Sequence, residues 1–182
     1  MAIVPNYPPG TPNVVSPAVT PTWCFTPTPN VAGPSIRIYN PGRNTVYIGG
    51  PQMTQNNSLP IPPGNKPIEL QNCPNTVYCL SGVTIGAQAA TASASSLTVG
   101  TTAITLTTTV PTSLAAGTTI VVGNTTGTGN IGLGWEAQVV NSTTASSQIT
   151  FANPLVQDHV ASVPIFLATA NGAQVIISAG VL

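Results

Sequence analysis

The chain has 182 residues, of which 42% are hydrophobic and only 3% charged, and its formal net charge is zero; a typical domain carries roughly 25% charged residues. Three basic residues, three acidic residues and one histidine are too few for a nucleic-acid face built by counterion release or for ordinary acid–base catalysis. The apolar content and zero net charge also depart from the disorder signature, and no apolar run approaches the ~18 residues of a membrane-spanning helix.

A protein with no net charge lacks the self-repulsion that keeps monomers apart. Such a surface suits a component packed into an assembly. The first residues, MAIVPNYPPG, carry prolines and no basic segment followed by a long apolar run, so a secretory signal is not expected and synthesis in a cytoplasm is. The three cysteines, Cys24, Cys73 and Cys79, are expected to be reduced, packed thiols. A pairing of Cys73 with Cys79 across a turn is the alternative, and a metal site is not expected with one histidine.

Residues 1–34 contain nine prolines, at 5, 8, 9, 12, 17, 21, 27, 29 and 34. Proline fixes φ and removes an amide donor, which predicts an extended arm rather than a helix or a central strand. Tyr7, Trp23 and Phe25 sit on this arm and are its candidate partner-contact residues. Docking on another subunit and folding back on its own domain are both open to it.

Residues 35–85 read as a first β module. Ser35–Tyr39 alternates, Asn40-Pro41-Gly42 signals a turn, and Asn44–Ile48, Lys66–Leu70 and Thr76–Leu80 read as further strands. Asn44-Thr-Val-Tyr47 recurs as Asn75-Thr-Val-Tyr78, consistent with two turn-to-strand entries of one sandwich. Arg37 and Glu69 are placed to face each other on paired strands. Gly49-Gly50-Pro51 ends a strand, Gln52–Ser58 forms a polar excursion and Leu59–Gly64 returns the chain to the next strand; the stretch reads as a connection, and at most as a packing surface.

Residues 86–102 are small and featureless and read as a linker leading into strand. Residues 103–182 read as a second β module, with strands in AITLTTTV, TTIVVGN, WEAQVVNS, ASSQITFANPL, VPIFLATA and AQVIISAGVL. No segment shows sustained helical periodicity. The expected fold is therefore all-β: a Pro-rich arm, then two small antiparallel sandwich or barrel-like modules.

Three motifs invite a chemical reading. Gly127–Gly132 matches GxGxxG, but strand follows it where a dinucleotide fingerprint needs a helix, so a hairpin loop is expected. Asp158-His159 is the one neighbouring acid–histidine pair; neighbours on a strand point to opposite faces, so a turn aspartate and a partly buried histidine are expected. Asn56, Asn124 and Asn141 begin Asn-x-Ser/Thr triplets and read as polar loop residues. No catalytic, cofactor-binding or metal-binding residue is assigned.

Tyr47-Ile48-Gly49-Gly50-Pro51, then Gln55–Leu59, then Pro62-Pro63-Gly64 leading into a strand, resembles a small β module of tailed-bacteriophage virion proteins. Ser58 stands where such modules commonly have glycine, and Lys66-Pro67 where they have a small polar residue. The run through Leu114, Gly117, Ile120, Val139, Ile149, Leu155 and His159 resembles a second phage module. In it the "PL…H" stretch is a strand and turn. The two resemblances span roughly residues 40–165 and imply a structural virion protein, not an enzyme. The expected place is the outside of the capsid, as a decoration or minor capsid protein. Its expected partners are the major capsid protein and its own copies, as a homotrimer, with no nucleic acid, membrane, cofactor or small-molecule substrate. The alternative is a tail, baseplate or fibre component that binds a host surface or glycan, with Trp135 as its sugar-stacking candidate.

Overall fold

The computed structural model describes residues 13–26, 35–64, 66–71, 76–93, 95–123, 134–144 and 146–180. The strands are β1 (Asn13–Val15), β2 (Thr22–Phe25), β3 (Ser35–Tyr39), β4 (Val46–Gly49), β5 (Leu59–Ile61), β6 (Ile68–Leu70) and β7 (Val77–Ser81). They continue with β8 (Val83–Thr91), β9 (Ala103–Thr105), β10 (Thr119–Val122), β11 (Glu136–Thr144), β12 (Gln148–Phe151), β13 (Pro164–Ala170) and β14 (Val175–Gly180). A single 3-10 turn, Thr112–Leu114, is the helical element among the described residues, and no helix there is long and apolar enough to cross a membrane. The all-β expectation holds. The chain divides into two compact units: one takes the residues up to Met53, Asn57–Gly82 and Gly172 onward, the other Thr54–Asn56 and Val83–Asn171.

The first unit is a sandwich of two four-stranded antiparallel sheets, in the orders β1-β14-β3-β6 and β2-β7-β4-β5. Period-two alternation sets the inner faces. In β3, Ile36 and Ile38 are fully buried while Arg37 and Tyr39 face outward. Val15, Val175 and Ile177 from the same sheet meet Cys24, Val46, Ile48, Ile61, Val77 and Cys79 from the other in one apolar cluster. β4 and β7, which begin within the two Asn-Thr-Val-Tyr repeats, lie side by side with Tyr47 opposite Leu80 and Ile48 opposite Cys79. Buried Asn40 ties the β3–β4 turn to β5. Its Nδ2 donates to the carbonyls of Asn44 and Ile61, both at 2.9 Å, and its Oδ1 accepts from Gly42 N at 3.0 Å. Pro60 lies on edge strand β5, where a missing amide interrupts no ladder.

The second unit is a six-stranded antiparallel sheet in the order β8-β13-β10-β11-β12-β9. Its two end strands meet. Just past β8 and β9, Ala92 bridges Leu106, flanked by Ser93 N→Thr105 O at 2.7 Å and Thr107 N→Thr91 O at 3.0 Å. The sheet is thus closed into a small barrel, a size that side chains alone can fill. Ala90, Ala92, Ile104, Leu106, Ile120, Val122, Val140, Ile149, Phe151 and Ile165 fill it, with Leu114 and Leu155 in the same cluster. Gly117 (φ +86°) turns the chain into β10, and at Gly123 (φ +130°) a Cβ would fall 2.5 Å from Trp135 Cα.

Three boundaries differ from the sequence reading. The stretch read as linker from residue 86 begins inside β8, which pairs with β13 from Val83↔Ala170 to Thr91↔Pro164. At Gly86 the small residue has a reason: a Cβ there would sit 3.2 Å from Leu167 O, where the ladder changes register. The last strand, read with the second module, leaves it: β14 lies between β1 and β3 in the sandwich. The described part of the proline-rich arm, residues 13–26, is extended as expected, yet both its strands are edge members of the sandwich's sheets.

The ends of the barrel segment are register partners, Val83 opposite Ala170, and Thr84 Oγ1 donates to Asn171 Oδ1 at 2.8 Å. Residues 83–171 expressed alone are therefore expected to fold and to unfold cooperatively in urea. Ile165→Ala in that fragment should lower its stability by about 2–5 kcal/mol. A fragment with collapsed amide dispersion in its NMR spectrum would show that the barrel needs the rest of the chain.

Candidate functional site

Glu136, Gln138 and Val140 share one face of β11. Since Glu136 lies opposite Val122 and Gln138 opposite Ile120, this face is the inner one. The strand therefore carries a carboxylate and an amide into one end of an apolar barrel. His159 reaches the same place from beyond β12, where its main chain is held against Leu97 by hydrogen bonds of 2.8 and 2.9 Å. His159 Nε2 lies 3.0 Å from Glu136 Oε1, and the two side chains are only 1% and 2% exposed.

The carboxylate is saturated. Oε1 also accepts from Gln157 N at 3.1 Å, and Oε2 accepts from Val156 N at 3.0 Å and Gln138 Nε2 at 3.1 Å. A buried carboxylate is tolerated when its lone pairs are filled in this way. An ionised carboxylate only accepts, so the pair requires the histidine to donate from Nε2. Gln138 Nε2 makes a further contact to Pro154 O at 3.4 Å. The cluster thus ties the 154–159 segment to the barrel through its own amides. Its groups are turned inward and shielded.

Asp158 is exposed, outside any strand, and its Oδ1 accepts from Val99 N at 2.8 Å. His159 departs from expectation in being almost fully buried, at 3% exposure. Its partner is Glu136, a residue 23 positions away in the sequence. Arg37 and Glu69 do face each other across β3 and β6; both are exposed, where such a pair contributes at most about 1 kcal/mol. Among the described residues no three His, Cys, Asp or Glu side chains gather as metal ligands would.

Of the candidate contact residues on the arm, Tyr7 lies outside the described residues. Trp23 and Phe25 are half-buried in β2, opposite Tyr78 and Val77. Phe25 packs on the sandwich core, and Trp23 Nε1 donates to Thr26 Oγ1 at 2.7 Å. Gly127–Gly132 also lies outside the described residues. Trp135 is half-buried just before β11, and its carbonyl accepts from Asn56 Nδ2 at 2.8 Å. Asn56 and Thr54, from the excursion read as a connection, belong to the barrel unit, where Thr54 Oγ1 accepts from Gln157 Nε2 at 2.7 Å. The return segment after it, read as a connection, contains strand β5, which pairs with β4.

The cysteine expectation is overturned. Cys24 and Cys79 form a disulfide, with a Cα–Cα distance of 6.2 Å and 55 residues of separation. The pairing arises because β2 lies against β7 with both sulfurs turned into the core. Cys73, the alternative partner of Cys79, lies outside the described residues. By chain entropy, closing a loop of that length stabilises the fold by about 4 kcal/mol. Compared with protein-family models and with curated proteins, the chain matches none.

Glu136→Gln would present an amide N–H to one of the donors that now bonds the carboxylate. We expect a loss of about 2–4 kcal/mol in urea unfolding, with freer amide exchange at Val156 and Gln157. Unchanged stability would mean that the cluster does not hold this segment.

Proposed function

We propose that the chain is a non-enzymatic structural protein of a bacteriophage virion, bound to the outside of the capsid as a decoration or minor capsid protein. The observation that carries this reading is where the phage-like residues fall. Leu114, Ile120, Ile149 and Leu155 are at most 1% exposed in the barrel core. Gly117 occupies a left-handed turn, and His159 closes the polar cluster at the barrel's end. The second resemblance thus falls within one folded unit, with Val139 half-buried outside its core.

The charge distribution supports the same reading. The one buried acid–histidine pair is used up in holding its own fold. Against so little charge the surface carries exposed Val14, Tyr39, Leu59, Val99 and Val160. A surface of this kind favours contact with the major capsid protein and with further copies of the chain, as a homotrimer. Binding only the assembled shell would stabilise it by mass action.

The arm enters this proposal in altered form. Removing residues 1–34 would also remove β1, β2 and Cys24 from the sandwich, so the informative truncation ends at residue 12. Immunogold labelling of purified virions is expected to decorate the head surface. Virions lacking the protein should break open at lower temperature, and the full chain, added back, should restore them. Label confined to the tail or its tip would contradict the capsid reading. It would favour a host-binding tail or fibre component, with Trp135 to be tested on glycans.

A further inference from the structure

We propose that residues 13–26 are a strap across one side of the sandwich, fastened or released by the redox state of the Cys24–Cys79 pair. The inference does not rest on the virion reading.

The strap has two strands, and each is an edge. β1 pairs only with β14, through Asn13↔Ile177, Val14↔Ile176 and Val15↔Val175, and β2 pairs only with β7. The β2–β7 register is broken between Trp23 and Phe25, at Cys24 itself. Between the strands, Ala18 O accepts from Ser81 N at 2.7 Å. Val15 and Cys24 belong to the apolar cluster and Phe25 packs on it. An edge strand can leave a sheet without breaking the ladders behind it. What prevents this in the oxidised chain is the one covalent link, between sulfurs in residues 1% and 0% exposed. With that link open, peeling the strap uncovers the ladder edges of β7 and β14, and those edges are suited to accept a strand from another copy.

The chemistry is thiol–disulfide exchange with a low-molecular-weight disulfide, R–S–S–R, as oxidant. The Cys24 thiolate attacks one sulfur of R–S–S–R and expels one thiolate. The Cys79 thiolate then attacks Cys24 Sγ in the mixed disulfide and expels the second. Two electrons pass from the cysteines to the reagent, and the two thiol protons end on two R–SH. A reducing cytosol runs the exchange backward and keeps the strap free; an oxidising medium fastens it. Because both thiols are buried while the strap is docked, oxidation starts from the lifted strap, and reduction needs only a smaller local opening at β2 that bares the disulfide.

Hydrogen exchange by mass spectrometry on the full chain, before and after reduction with dithiothreitol, tests this. A Cys24→Ala, Cys79→Ala double variant gives the same comparison without reagent. We expect opening of residues 13–26 and of the Ser81 amide to rise on the order of 100- to 1,000-fold, with β3, β4 and the barrel strands unchanged. Four results would overturn the proposal: unchanged exchange once alkylation shows Cys24 and Cys79 free, exchange rising throughout β3 and β4, a disulfide that dithiothreitol cannot reach in the folded chain, or peptide mapping that joins Cys79 to Cys73.

Discussion

The closure of β8 onto β9 around Ala92 and Leu106 is the constraint on which the second unit depends. An open six-stranded sheet would leave two edges of unpaired amides and carbonyls on a chain with almost no charge to keep other strands away. Closure removes both edges. It also fixes a small interior, which the buried aliphatic residues and Phe151 fill. Glu136, Gln138 and His159 then face inward at one end, where the amides of Val156 and Gln157 satisfy the carboxylate. The polar cluster follows from the barrel: β11 alternation turns Glu136 inward, and the segment after β12 is drawn in to meet it.

The first unit solves the same problem differently. Its two sheets keep their edges, and β1 and β2 form one edge of each, lying over β14 and β7. The prolines of this segment stand outside its ladders: Pro17 and Pro21 lie between β1 and β2. The covering segment is short, so a covalent tie adds what a few ladder pairs do not. Of the two units, the barrel is the self-contained one, and the sandwich keeps edges that other chains can meet.

Strands with period-two alternation and clear turn signals were legible in the sequence. Ser35–Tyr39 appears with its expected bounds, and most strands from Ala103 onward appear within a few residues of theirs. The strand β8 was hidden because its small residues look like a linker, although at Gly86 the backbone of β13 leaves little room for a side chain. Strands β1 and β2 were hidden among prolines, whose meaning at a sheet edge depends on a partner that sequence does not name. The disulfide was hidden for the same reason, since Cys24 meets Cys79 only after β2 adds to β7. The Glu136–His159 pair left a trace: Glu136 and Gln138 share the parity of Val140 in a strand with an apolar inner face. That trace gives the direction of the carboxylate but not its partner, which comes from a separate segment.

The most direct test of this account is amide exchange, resolved by residue, at the seam of the barrel. The amides of Ser93 and Thr107 donate across that seam to Thr105 and Thr91. In a closed barrel they should exchange as slowly as the amides of β10 and β13 in the middle of the sheet. If both exchange at the rate of exposed loops while β10 and β13 stay protected, the sheet is open, and the contrast drawn between the two units fails.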